Sequence, residues 1–138
     1  MASASSRVEP RRLRITTEVV SPHGAVIAIE GELDLGGIDE FRDAITADLA
    51  RGHRHLVFDL TDTDFLDCAA ISQLLMSLAP LRTEPDAGII FLRPHGAVAH
   101  LLEVLRFDQL IASAPDRATA LDQVHRTDAL TDGWRRVP

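Results

Sequence analysis

The single cysteine, Cys68, is the strongest nucleophile that the sequence offers. A thiol paired with an imidazole, such as that of His95 or His100, can attack a carbonyl where glycine-rich turns supply an oxyanion site. No such glycines accompany Cys68, which is followed by Ala69 and Ala70. This pattern is typical of a helix start, so the sequence predicts no catalytic residues and no enzyme.

A redox role is a second possibility for Cys68. The first turn of a helix favours a thiolate because the helix dipole places positive charge there. The chain has no second cysteine that could resolve an oxidised form. We favour a small residue that fills space, and redox sensing stays open as the alternative.

Acidic and imidazole groups form a third candidate chemistry. Six carboxylates surround two neighbouring loops: Glu32, Asp34, Asp59, Asp62, Asp64 and Asp67. A magnesium site is conceivable, but aspartates also form turns and caps, and we favour those roles. His53 and His55 are predicted to be surface residues without further ligands. No glycine pattern typical of nucleotide binding is present, so neither a metal nor a cofactor is predicted.

Composition limits the partners that this chain can have. Its 138 residues carry 14 basic and 21 acidic side chains, a formal charge of -7, which argues against nucleic acid or an anionic membrane. All basic residues are arginine, so lysine-dependent chemistry is excluded. No apolar run approaches the roughly 20 residues of a membrane span, and the N-terminus does not resemble a signal peptide. We expect a cytoplasmic protein without membrane insertion.

Alternating strand and helix patterns must position these groups. The predicted order is ββαβαβαβα, an α/β fold with a mixed, mostly parallel sheet and about four helices. The patterns place strands at 13–20, 25–30, 56–60, 88–92 and 110–112, loops at 31–37 and 61–64, and a last helix at 115–125. We predict one domain over residues 12–126, with flexible tails at 1–11 and 127–138.

The helix after residue 67 has the clearest local signals. Asp67 is a good N-cap for the amides of residues 69 and 70. Leu66 and Ile71 occupy the two positions of a hydrophobic staple around that cap. An apolar stripe of Ile71, Leu74, Leu75 and Leu78 then predicts an amphipathic helix with one buried face.

Three motifs in this order resemble the STAS family, of the anti-sigma factor antagonist type. Residues 31–34 read GELD, residues 58–71 read FDLTDTDFLDCAAI, and residues 105–111 read LRFDQLI. They are similar to the family's "GELD", its "DLSGVTFLDSSGL"-type segment and its "LGLDRLI" ending. The resemblance covers residues 12–125 and implies a four-helix, mixed-sheet domain.

The resemblance also implies a partner, an anti-sigma factor with a histidine-kinase-like ATPase fold. In the family a serine at the start of the second main helix is the phosphorylation switch. Ala69 takes the place of that acceptor and Cys68 that of the preceding serine, while Asp67 keeps the family aspartate. The resemblance implies partner contacts at Asp34, Asp67, Cys68, Ala69 and Ser72.

The sequence therefore predicts an antagonist that binds its partner without the usual phosphorylation switch, because alanine has no oxygen to receive phosphate. Whether Ser72, Thr61 or Thr63 replaces the lost acceptor stays open, although we favour ordinary turn and helix-surface roles. The alternative function is a non-phosphorylatable STAS subunit of a larger assembly, either a lipid-transport ABC complex or a stress-sensing complex.

Overall fold

A computed structural model of the chain describes residues 12–79, 88–92, 94, 96–106 and 112–136. Its six strands are β1 (Arg14–Ser21), β2 (Gly24–Leu33), β3 (His55–Asp59), β4 (Thr63–Leu66), β5 (Gly88–Leu92) and β6 (Ala112–Ala114). Its α-helices are α1 (Ile38–Ala50), α2 (Cys68–Ser77), α3 (Gly96–Val104) and α4 (Arg117–Arg136), with a 3-10 turn at Leu35–Gly37.

The strands form one mixed sheet in the order β1-β2-β3-β5-β6, and β4 pairs with β2. β1 and β2 are antiparallel, joined by a short turn, whereas the other pairings are parallel. Parallel neighbours need crossover connections, which the helices supply. The predicted mixed, mostly parallel sheet with about four helices is confirmed.

The core lies on both faces of the sheet. On one face, side chains from α1, α2 and α3 pack over β2 and β3, with Phe58 at the centre. Its ring centroid lies 5.5 Å from that of Phe41 and 5.3 Å from that of Phe91. On the other face, Ala120 and Val124 of α4 cover a smaller cluster. Because both faces of β3 are covered, four of its five residues are buried.

Several predicted boundaries are wrong. β2 continues through Leu33 into the segment predicted as a loop, and residues 63–66 form β4 in place of part of the predicted loop at 61–64. β6 covers residues 112–114 and so extends two residues beyond the predicted end at residue 112; residues 107–111 lie outside the described residues. α4 continues past the predicted end at His125 and through most of the predicted C-terminal tail. The proposed N-terminal tail, 1–11, also lies outside the described residues.

His53 and His55 are buried, contrary to the prediction that they are surface residues. Nδ1 of His53 lies 2.9 Å from Oδ1 of the fully buried Asp48, near the end of α1. The amide of His53 also donates to the carbonyl of Asp48 at 3.0 Å. This polar pair holds the connection from α1 to β3 in place. Between the two residues Gly52 turns the chain, with a φ of 89°, a conformation that favours glycine.

Within the described residues, no helix has the length and apolar character that crossing a membrane requires.

Candidate functional site

The pairing of β2 with β4 brings Asp34 and Asp67 to the same edge of the sheet. Leu33 is the register partner of Leu66 in this parallel pair, and both leucines are buried. Each aspartate follows its leucine directly, at the carboxyl end of its strand. Because neighbouring strands lie about 4.8 Å apart, the backbones of the two aspartates lie close together, each at the start of the loop that follows its strand. The two motifs that contain these aspartates are therefore adjacent in the folded structure, although they are separate in the sequence.

A bulge at the first motif sets this geometry. The register shifts between Gly31 and Glu32, so that Gly31 pairs with Thr63 but Glu32 pairs with Phe65. Gly31 has a φ of 90°, a conformation that favours glycine, and its amide donates to the carbonyl of Asp62 at 3.0 Å. A side chain at residue 31 would strain this bend, which explains the glycine that opens GELD.

The predicted cap of α2 is confirmed. The amide of Ala70 donates to Oδ1 of Asp67 at 2.6 Å, and the amide of Ile71 donates to the Asp67 carbonyl at 3.0 Å. Leu66 and Ile71, the two staple residues, are each 4% exposed within the same core cluster. The cap and the staple together fix where α2 begins and therefore how residues 68 and 69 are presented.

The residues that start α2 face outward. Cys68 and Ala69 are exposed, whereas Ala70 is fully buried. Ser72 and Met76 are also exposed, and their spacing from Ala69, three and seven residues, places all three on one face of the helix. We use the name α2 surface for the exposed residues Asp34, Cys68, Ala69, Ser72 and Met76.

Asp34 lies near the start of α2 because β2 pairs with β4. It is exposed and stands in an extended conformation before the 3-10 turn, and its side chain makes no capping hydrogen bond to that turn. The amide of Gly37 instead donates to the Asp34 carbonyl at 3.1 Å. Its carboxylate is therefore presented at the surface rather than used in a helix cap.

The three alternative hydroxyl groups differ in accessibility. The hydroxyl of Thr63 is buried and donates to the carbonyl of Ile29 at 2.7 Å. The hydroxyl of Thr61 donates to Oδ1 of Asp59 at 2.6 Å as part of a turn. Ser72 is exposed, and its hydroxyl donates to the carbonyl of Cys68 at 3.2 Å. Of the three, Ser72 is the most accessible.

Three exposed apolar side chains near the site were not predicted from the sequence. Met76 is 67% exposed, Leu35 beside Asp34 is 55% exposed, and Phe65 on β4 is 45% exposed. Met76 had a detectable signal, because it is an apolar residue outside the predicted buried stripe of its helix. Phe65 had none, since its exposure depends on β4 pairing with β2.

The acidic residues form no metal centre among those that the structure describes: no group of three histidine, cysteine or acidic side chains there is placed to hold a metal ion. Asp59 and Asp67 serve local hydrogen bonds instead, in a turn and in the cap of α2. These are the roles that we favoured for them.

The fold and the motifs agree with a known domain model. The model of the STAS domain matches residues 14–120, which include β1 to β6 and the start of α4. The chain belongs to the STAS domain family. No curated protein sequence matches it.

Solved structures share this STAS fold. An anti-sigma factor antagonist from Mycobacterium paratuberculosis has a TM-score of 0.69 and 22% identity, covering 83% of this chain and 95% of that one. Unphosphorylated SpoIIAA gives 0.69 and 19%, covering 81% and 96%. The phosphorylated Bacillus cell fate determinant SpoIIAA gives 0.63 and 20%, covering 80% and 99%.

Two of the three STAS motifs can be followed in the structure. The first supplies the bulge at the end of β2, and the second supplies β4 and the capped start of α2. The third begins at Leu105, after α3, and its residues 107–111 lie outside the described residues. Arg106 has a φ of 53°, the left-handed conformation that usually selects glycine at a helix end.

Proposed function

We propose that this chain is an anti-sigma factor antagonist that binds an anti-sigma factor with a histidine-kinase-like ATPase fold in the cytoplasm. The proposal is supported by its STAS domain and by solved structures of similar fold that are described as anti-sigma factor antagonists. We expect no enzymatic activity of the chain itself, because its contribution is a surface that sequesters the partner.

The α2 surface is the part of the molecule that we assign to this contact. Small side chains at Cys68 and Ala69 allow a partner to approach the helix start closely, and Met76 provides apolar area on the same face. Asp34 adds a carboxylate from the neighbouring connection. Asp67 acts through its cap of the Ala70 amide, which holds residues 68 and 69 in helical geometry.

Ala69 is the single observation on which the regulatory part of the proposal depends. Its exposed position at the first turn of α2 is one where amides and the helix dipole would stabilise a phosphate. A phosphate there would add roughly -1.5 to -2 charges beside Asp67. The methyl group of alanine cannot accept it, so we propose an antagonist that stays in the binding-competent form.

A restored switch tests this proposal. Ala69→Ser should accept phosphate from the cognate anti-sigma factor and ATP, and should then lose affinity for that factor, while the parent chain keeps its affinity. Ser72→Ala in both backgrounds is the matched control, because Ser72 is the exposed hydroxyl one turn further along α2. Phosphate on Ser72 of the parent chain, with loss of binding, would overturn the unswitched mechanism.

The exposed alanine at residue 69 also suits a second function, a non-phosphorylatable STAS subunit of a lipid-transport ABC complex or a stress-sensing complex. Such a subunit needs a constant interface and no switch. Affinity capture from the host separates the two functions: recovery of an ATPase-type anti-sigma factor supports the first, and recovery of a permease with its transport ATPase supports the second.

A further inference from the structure

β1 is the end strand of the sheet and is exposed along most of its length. Among the described residues it pairs with β2 alone, and Arg14 and residues 16–19 are exposed. An edge strand of eight residues presents unpaired amide and carbonyl groups, which can pair with another strand. A second copy of this chain would supply an identical edge.

The two faces of β1 have different surroundings. Ile15 packs against the core under α1, and Val20 packs against the cluster under α4. Because side chains alternate, Arg14, Thr16 and Glu18 lie on the α4 face. Glu18 forms an ion pair with Arg117, the first residue of α4, in agreement with this assignment.

Two identical strands can pair about a two-fold axis in few registers. In an antiparallel ladder, directly opposite residues must both point their hydrogen-bonding groups toward the partner or both point them away. The axis must therefore pass through a pair of identical residues. Each choice of that residue fixes which side chains stand opposite one another.

Charge and strand regularity select one of these registers. An axis at Arg14 or Glu18 places like charges opposite each other. An axis at Thr17 carries the pairing past Val19, where the register of β1 with β2 becomes irregular. An axis at Ile15 leaves only residues 14–16 of β1 to pair, because residues 17 and 18 would stand opposite residues 13 and 12, which precede the strand. An axis at Thr16 pairs residues 14–18, all within β1, and places no like charges directly opposite each other.

We propose that β1 pairs antiparallel with β1 of a second copy about an axis at Thr16, which joins the two sheets. Arg14 then stands opposite the partner's Glu18, and this favourable pair occurs twice by symmetry. Thr16 faces the partner's Thr16. Val19, which is 59% exposed in the single chain, stands opposite the partner's Leu13 and becomes covered.

Sedimentation equilibrium from micromolar to millimolar concentration tests the association. The mass should rise from one chain to two, and Arg14→Glu should raise the dimer dissociation constant about tenfold or more, because it places like charges opposite each other twice. Arg106→Glu, the same charge change at an exposed residue after α3, should leave it unaltered. Melting temperatures of both variants verify that they fold. A chain that stays monomeric at millimolar concentration overturns the proposal.

Disulfide cross-linking tests the register. In a Cys68→Ser background, Thr16→Cys places two thiols directly opposite, where Cα separations of about 4.5–5.5 Å suit a disulfide. Val19→Cys is the matched control, because the two residues at position 19 would be about 20 Å apart. Rapid dimer formation by Thr16→Cys alone supports the pairing. Equal rates for both variants, or a dimer in which neither cross-links, would contradict it.

Discussion

Replacing Asp67 with alanine removes the cap of α2 and leaves the rest of the helix unchanged. In the structure Oδ1 of Asp67 accepts from the Ala70 amide at 2.6 Å, at the turn that presents Cys68 and Ala69. Without a cap, this amide must be satisfied by water or the first turn must fray. The substitution therefore tests whether the cap holds the α2 surface in place.

The expected size follows from two separate contributions. Loss of an aspartate cap costs about 1 kcal/mol, and loss of the negative charge near the helix start costs about 0.5 kcal/mol more. Asp67→Asn keeps the capping oxygen and loses only the charge. We expect Asp67→Asn to lower the free energy of unfolding by about 0.5 kcal/mol and Asp67→Ala to lower it by about 1.5 kcal/mol.

Urea denaturation followed by circular dichroism measures these differences in the free energy of unfolding. In a thermal melt, the Asp67→Ala variant should have a melting temperature about 5 °C lower than the parent. Asp43→Ala is the control, because it removes one negative charge from an exposed position within α1 where alanine is well tolerated. The difference between the parent and Asp67→Asn should shrink in salt. Equal stability of the parent and Asp67→Ala would refute the capping argument.

Three further predictions concern other parts of the fold. Arg106→Gly should raise the free energy of unfolding by about 1 kcal/mol, because Arg106 has a left-handed φ of 53°. Asp48→Ala should lower it by about 2 kcal/mol, because it leaves the buried His53 without its partner, and a double-mutant cycle with His53→Ala should show coupling between the two. Hydrogen bonds from Thr119 lower the pKa of Asp116, so the ionised carboxylate should stabilise the fold at neutral pH, and this stabilisation should be lost as pH falls through the folded pKa. Asp116→Asn should therefore flatten the dependence of the melting temperature on pH below about pH 4.

Local signals explain why the helices of the fold could be predicted. Asp67, Leu66 and Ile71 are neighbours in the chain and act within one helix turn, so their types and spacing alone predict the start of α2. The apolar run of β3 is similarly informative, because a parallel strand covered on both faces needs apolar residues throughout.

The elements that escaped prediction depend on contacts distant in sequence. β4 contains Asp64 and the exposed Phe65, and it is a strand because residues 63–66 pair with the end of β2 about thirty positions earlier. His53 is buried together with Asp48, which lies on the other side of a turn. In the sequence, residues 48–55 read like a polar surface segment, so the buried pair could not be predicted.

The candidate site divides in the same way. The residues of α2 were predicted together, because they share one helix. Their proximity to Asp34 required the register of Leu33 with Leu66, and Met76 joined the site only through its exposure in the structure. Sequence motifs therefore indicated the α2 residues of the candidate site, whereas its proposed extent depends on the tertiary structure.

Direct titration of the purified chain with each ATPase-type anti-sigma factor of its host, before and after incubation with ATP, tests the central proposal most directly. We expect binding to at least one of them, with the same affinity in both conditions and no phosphate on the chain by intact mass. Absence of binding to every such factor would contradict the proposed function, and binding that is lost together with a gain of phosphate would contradict the absence of the switch.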